Sequence, residues 1–322
     1  MKSKVLATAF ILIACACYGF VAPVLRLSYH AHLSTADMTN VQFLIASVLF
    51  LVFAALQRSF RRLSRRQFFV IAAIAACNIV FTFAYYRALT VLSASTAIVL
   101  LFQFAWMALV IDAVWHRRWP RWSQVIGMLG LLAGTVLAVG SGSTLPAHGK
   151  PLNSANPHSD FTLSTFHMDL RLHPLWAVLF GLLAALCYAV TLHLSSIDGS
   201  KQHSVPVTSL YRAAVITWLG TLFNFVPFPP AIHLIRSIWS GDAILFGLLL
   251  AALSQVVPIL LMLSAVPVLG GRMAAVLGTV ELPVTIVAAH YLNGDVLSVT
   301  QIGGILLILC GITISEWGAF HQ

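Results

Sequence analysis

Residues 88–100 read ALTVLSASTAIVL, and 177 positions further on residues 265–277 read AVPVLGGRMAAVL. The two stretches share Ala88-x-x-Val91-Leu92 with Ala265-x-x-Val268-Leu269, and Ala97-x-Val99-Leu100 with Ala274-x-Val276-Leu277. At the same offset, without a gap, Gln124-x-x-Gly127-x-Leu129 with Gly134 returns as Gln301-x-x-Gly304-x-Leu306 with Gly311. Apolar matches are common between unrelated membrane helices, but glycines and a glutamine matched in fixed order are not. An offset of 170 then pairs Ala14-x-x-Cys17-Tyr18 with Ala184-x-x-Cys187-Tyr188. The chain is an internal duplication.

Hydrophobic residues make up 60% of the 322 positions and charged ones 8%, whereas soluble domains carry about 25% charge. The main solvent is therefore a bilayer, whose ~30 Å hydrocarbon core takes about 20 apolar residues per helix. Only helices and closed barrels satisfy the backbone there, and these apolar runs are long and lack the period-2 alternation of barrel strands. Ten helices are predicted: Val5 to Leu25, Val41 to Leu56, Phe68 to Thr90, Ser93 to Trp115, Ser123 to Gly140, Leu175 to Leu194, Val207 to Phe228, Ala243 to Ser264, Gly271 to Leu292 and Thr300 to Ser315. The expected fold is an all-α polytopic membrane protein of two five-helix repeats, residues 1–140 and 175–322, joined by an extracytoplasmic linker over 141–174. Five is odd, so the second copy must enter the membrane from the opposite side. Inverted halves of this kind are a ground plan of secondary transporters, with the substrate at midplane between them.

The net charge of +9 sits in short loops beside apolar helices, where it orients the chain instead of binding nucleic acid. With the N-terminus inside, thirteen of the eighteen Lys and Arg residues fall on the cytoplasmic side, among them the cluster from Arg58 to Arg66. Arg26, Arg87, Lys150, Arg171 and Arg236 fall outside, and both termini are cytoplasmic. The five cysteines (Cys15, Cys17, Cys77, Cys187, Cys310) lie within predicted helices and read as buried thiols, neither a disulfide framework nor a zinc site. Lys2 and Lys4 before an apolar run imitate a secretory signal, but nine further apolar segments make the first one a retained helix. The linker is rich in Ser, His, Asn and Pro, and its histidines (His148, His158, His167, His173) are too irregularly spaced to favour a metal site.

The stretches from Ala88 to Leu100 and Gln124 to Gly134, their second copies, and Glu281-Leu282-Pro283 followed by Asn293-Gly294-Asp295 resemble the drug/metabolite transporter superfamily, and within it the EamA-type ten-helix transporters. In that family the fourth helix of a repeat commonly carries Glu and Pro, and a Gly with an acid follows thirteen positions after the Glu. Glu281 and Gly294 keep that spacing. The first repeat departs from it, with Phe104, Ala105 and Trp106 in place of the Glu-Pro element and His116-Arg117-Arg118 in place of the Gly-acid turn. The resemblance implies export or facilitated movement of metabolites across the cytoplasmic membrane, and it does not single out a substrate.

A charge at the bilayer centre costs about 2.5–3.5 kcal/mol on insertion scales, so Glu281, about ten residues from either end of its predicted helix, needs a reason. It can bind a cationic or amine-bearing substrate, exchange protons as a poorly solvated carboxyl, or stay neutral in a helix-tying hydrogen bond. Asn78 and Gln255 are partners at the 177 offset, and Gln103 stands one position from the partner of Glu281. These amides either line a central cavity or tie helices together at ~0.6 kcal/mol per bond; their common depth with Glu281 favours the cavity. Tyr18 and Tyr188 recur on the first helix of each repeat, where each can wall a pocket or simply pack. Trp106, one turn from Gln103, can stack on an aromatic or cationic substrate or fill the core. Tyr85, Tyr86 and Arg87 read as an aromatic belt with a snorkelling arginine at the outer surface, and Pro258 and Pro283 as bends in their helices.

These residues predict a secondary transporter that exports a small organic metabolite or drug, amino acid-like or cationic and aromatic, by alternating access at a midplane cavity. That cavity is lined by Tyr18, Asn78, Gln103, Trp106, Tyr188, Gln255 and Glu281, with Glu281 the candidate for proton coupling. The expected partners are that solute, the lipid bilayer and protons, with no cofactor or metal and no nucleic acid; oligomeric state is left open. A non-coupled facilitator and an embedded acyltransferase-like enzyme are the alternatives. The enzyme rests only on the His290-x4-Asp295 spacing, and the chain has no P-loop, His-Glu-x-x-His or Gly-x-Ser-x-Gly element.

Overall fold

The long apolar runs form helices in the computed structural model, which describes residues 2–31, 33–56, 65–117, 119, 122–140, 174–199, 206–225, 241–269, 277–295 and 297–320. The first repeat comprises α1 (Lys2–His30), α2 (Thr35–Leu56), α3 (Arg65–Leu89), α4 (Ala94–Leu101), α5 (Phe104–His116) and α6 (Trp122–Gly140). The second comprises α7 (Pro174–Gly199), α8 (Pro206–Asn224), α9 (Gly241–Ala251), a π-helical turn (Ala252–Val256), α10 (Val257–Leu269), α11 (Glu281–Asn293) and α12 (Val299–Phe320). Among the described residues, six helices are long and apolar enough to cross a membrane: Lys4–His30, Asp37–Leu56, Arg65–Leu89, Ala94–Trp115, Leu175–Leu194 and Gly241–Val266. Each of the ten predicted segments overlaps a described helix. The linker up to residue 173, with its histidines, and the basic residues 58–62 lie outside the described residues.

Two of the predicted helices are interrupted. The fourth, expected unbroken from Ser93 to Trp115, stops at Leu101, turns through Phe102-Gln103 and restarts at Phe104. The ninth turns through Thr279-Val280 and restarts at Glu281, 177 residues later in each case. The hydrogen bonds repeat as well. The Gln103 and Ala105 amides bond three residues back, to the Leu100 and Phe102 carbonyls, and the Val280 and Leu282 amides do the same to Leu277 and Thr279. Glu281 is thus the first residue of a helix and not the middle of one, and Pro283 lies in the first turn of that helix, where its missing N–H needs no partner. The break precedes the proline.

Pro258 acts differently. A proline inside a helix removes one hydrogen bond and clashes with the carbonyl four residues back, here that of Ser254. The π turn over Ala252–Val256 accommodates it immediately upstream. Its partner at the 177 offset is Phe81, and there α3 runs unbroken.

Each repeat's first helix packs on the other repeat: α1 lies against α10 and α11, and α7 against α3 and α5. Helices α2 and α8 pair with each other, as do α6 and α12. Small residues drive close approach in lipid, where burying apolar surface provides no force. A Cβ added at Gly134 would come within 2.5 Å of the Gly304 carbonyl oxygen, and one at Gly311 within 2.6 Å of the Gly127 oxygen. Gly134–Gly304 and Gly127–Gly311 are one contact related by the duplication, and their order makes α6 and α12 antiparallel, so the repeats are inverted. The repeated Gln301 has a local role: its side chain accepts from the Ser298 N–H at 3.1 Å while Ser298 Oγ accepts from the Gln301 N–H at 3.1 Å, a capping box that starts α12.

Candidate functional site

Between the repeats lies a cavity of about 190 Å³. The first repeat lines it with Tyr18 and Val21 of α1, Gln42 of α2, five residues of α3 from Asn78 to Tyr86, and Leu101, Phe102 and Phe104 around the α4–α5 break. The second supplies Tyr188 and Thr191 of α7, Ser254 and Gln255 of the π turn, Ile259, and Glu281 at the start of α11. Tyr18, Asn78, Tyr188, Gln255 and Glu281 are therefore brought together from five separate spans.

Gln103 and Trp106 are placed elsewhere. The Trp106 indole N–H donates to Gln103 Oε1 at 3.0 Å, and Gln103 Nε2 donates to the Val99 carbonyl at 3.3 Å and to Thr135 Oγ1 on α6. Gln103 is 2% exposed, with its amide committed to closing the helix break and fastening it to α6. Helix tying, not cavity lining, is its role in this structure, and Trp106 follows it. Tyr85 and Tyr86 correct the reading in the other direction: at 5% and 2% exposure they face the cavity and form no outer belt.

The walls are aromatic. The Tyr188 ring lies edge-on to Phe104, with centroids 4.7 Å apart, and 5.5 Å from Phe81. Gln42, absent from the sequence-based set, joins three elements: its Oε1 accepts from the Tyr86 hydroxyl, and its Nε2 donates to Ser254 Oγ at 2.6 Å. Ser254 Oγ in turn donates to the Leu250 carbonyl at 2.7 Å, so the π turn is held against α2 and α3. A buried amide is satisfied from both ends here, which specifies one packing.

Among the described residues that line the cavity, Glu281 is the one charged residue. It is the first residue of α11. Among the described residues, the side chains of Asn78, Gln255 and Glu281 have no hydrogen-bond partner in the protein. Asn78 and Glu281 are half-buried and Gln255 is buried, so three polar side chains reach the cavity with hydrogen-bonding capacity left over.

Toward the end of the bundle where α1 and α11 finish, the cavity is capped by packed side chains: Leu25, Met38, Leu89 and Leu92 are at most 1% exposed. An ion pair crosses this cap. Arg26 Nη1 lies 3.0 Å from Asp295 Oδ1, with side chains 3% and 8% exposed. The second oxygen, Oδ2, accepts from the Ser95 hydroxyl at 3.2 Å and the Ser95 N–H at 3.4 Å. Gly294, at φ +68°, ends α11 in a left-handed turn in which the Asp295 N–H reaches back to the Ala289 carbonyl. His290 Nδ1 bonds the Asp295 main-chain oxygen at 2.9 Å; the carboxylate belongs to Arg26 and Ser95. The spacing that hinted at an acyltransferase therefore forms no His–carboxylate dyad.

A profile described as the EamA-like transporter family matches residues 5–140 and 175–316. None of the curated proteins matches the sequence. A chain solved by crystallography is similar in fold, with a TM-score of 0.60 over 98% of this chain and 99% of that one, at 14% sequence identity.

Proposed function

We propose, from the premise that this chain belongs to the EamA-like transporter family and is a membrane transporter of the drug/metabolite type, that it exports a small organic solute carrying an amine or other cationic nitrogen on an apolar or aromatic body. The solute occupies the cavity between the repeats and crosses the cytoplasmic membrane as the halves rock about it. The observation that carries this reading is the convergence of Asn78, Gln255 and Glu281, whose side chains have no partner among the described residues, on one aromatic-walled cavity. Tyrosine and phenylalanine faces attract a cation, and the Glu281 carboxylate neutralises it. The amides of Asn78 and Gln255 orient whatever polar groups the solute bears, and among the described residues no lining side chain offers a positive charge to an anion.

A carboxylate that binds the cation in one orientation can release it in the other by taking up a proton, which couples export to the proton gradient. Flux of labelled amines, amino acids, nucleosides and cationic dyes into liposomes holding the purified protein tests this, with and without a pH gradient, for wild type and Glu281→Gln. Gradient-driven flux that becomes gradient-independent in Glu281→Gln is the expected result. Flux that ignores the gradient in both proteins would make the molecule a facilitator, with Glu281 setting affinity alone.

A further inference from the structure

We infer that Arg26 and Asp295, steadied by Ser95, are the latch that closes the cavity at the end where α1 and α11 finish, and that α11 carries the state of Glu281 to it. Charge placement assigns this end to the extracytoplasmic side. The inference rests on solute passing through the cavity between the repeats.

The pair ties segments of the two repeats together at this end. Arg26 and Ser95 belong to the first repeat, and Asp295 follows α11 of the second. Above the cavity it is a charged bond between the repeats, set among packed side chains such as Leu25 and Leu92, where the buried Asn40 and Asn224 amides also join α2 to α8. Buried ion pairs are poor investments in stability alone, since apolar residues of similar volume often hold a fold as well or better, and in a membrane each charge is costlier still. The contact is also one-pronged. Arg26 uses a single nitrogen toward the carboxylate, and its Nε is buried without a partner among the described residues, so the pair lacks the second bond of the stronger two-pronged form.

The rod is equally plain. Glu281 is the first residue of α11 and Asp295 lies just past its last, with Gly294 in the left-handed turn that points the chain back. Thirteen helical residues span about 20 Å as one stiff element. A shift of Glu281 toward or away from a bound cation therefore moves Asp295 relative to Arg26. The device is one-sided: the inverted equivalents of Arg26, Ser95 and Asp295 are Ser196, Arg272 and Arg118, which cannot make this pair.

The test reads cavity access without any substrate. Thr82→Cys, which lines the cavity, is placed in a variant whose five native cysteines are replaced, and its modification by a membrane-impermeant thiol reagent is timed from each face of a reconstituted vesicle. Breaking one partner leaves a lone buried charge and can unfold the protein, so the latch is removed as the pair Arg26→Gln with Asp295→Asn, with the melting temperature as the check on folding. If the open state is a minor one, at about 0.1–10% of the population, labelling from the Asp295 face should rise roughly tenfold while labelling from the opposite face falls or stays. Rates unchanged at both faces in a folded variant would overturn the latch. Unchanged labelling alongside intact gradient-driven flux would leave the transport reading standing without it, and faster labelling with no flux for any tested solute would leave the latch standing without that substrate class.

Discussion

In the first repeat the break at Phe102-Gln103 is followed by Phe104; in the second, the break at Thr279-Val280 is followed by Glu281. The backbone device is the same to the residue, down to which amides bond three positions back. Its chemistry is not, because one half offers a ring to the cavity and the other a carboxylate. The ends of these helices make the same contrast. Arg117 stands 177 positions before Gly294 and takes the same left-handed conformation, φ +50° against +68°. Duplication has kept the geometry where helices stop and start, and the halves have diverged in what the side chains can do.

Removing the acid should break the contrast most severely. Truncating one member of a buried charged contact costs about 2–5 kcal/mol, so Glu281→Gln should lower transport of a cationic solute by roughly 30-fold or more, measured as initial flux in liposomes. Adding Phe104→Glu to that variant sharpens the comparison: equivalent breaks predict partial recovery, and no recovery would mean that only the α11 side can carry the charge. Next in size are the glycines. Gly134→Val and Gly311→Val overfill equivalent contacts, so each should lose about 1–3 kcal/mol in thermal unfolding, and by similar amounts. Gly303→Ala, inside α12 with nothing within 4 Å of its added Cβ, should instead stabilise by about 0.5–1 kcal/mol.

Pro258→Ala tests why α3 runs straight while its partner carries a π turn. Restoring the amide should let the turn close, rotating Gln255 by about 100°, one residue's worth of helix. Flux should fall even as the melting temperature rises. The smallest effects belong to the left-handed caps. Arg117→Gly relieves a conformation that suits glycine and should stabilise by about 0.5–1 kcal/mol, whereas Gly294→Ala should destabilise by about 1–2 kcal/mol. Opposite signs at equivalent positions are the expected outcome, read from the same unfolding curves.

The spans, the duplication and most of the cavity were legible in the sequence because length, composition and depth decide them. Tyr18, Asn78, Tyr188, Gln255 and Glu281 were reached by asking which polar or amphipathic residues recur at one depth in both halves. Depth says nothing about facing, and that is where the reading failed. A membrane helix can be apolar all round, so the contrast that reveals the inner face of a soluble helix is missing. Gln103 shares the depth of the cavity yet spends its amide on Thr135, and Tyr85 and Tyr86 resemble a belt until α3 is seen from within. No glycine or proline marks the break at Phe102-Gln103; only the Glu281 half has Gly278 and Pro283 close by. The Arg26–Asp295 pair joins residues 269 positions apart, a separation that only tertiary structure bridges.

The contact between α6 and α12 is isologous in the sense used for subunits: each partner presents the same patch, and each contact occurs twice. Gly134 meets Gly304 as Gly311 meets Gly127. A surface that complements its own inverted copy needs no covalent link to find its partner. Two separate five-helix chains bearing these glycines, inserted in opposite directions, would meet along the same line. In this molecule the segment from Ser141 to Pro174 fixes one copy of each orientation in every chain, so opposing insertion becomes a property of a single gene product and not of chance encounter in the membrane.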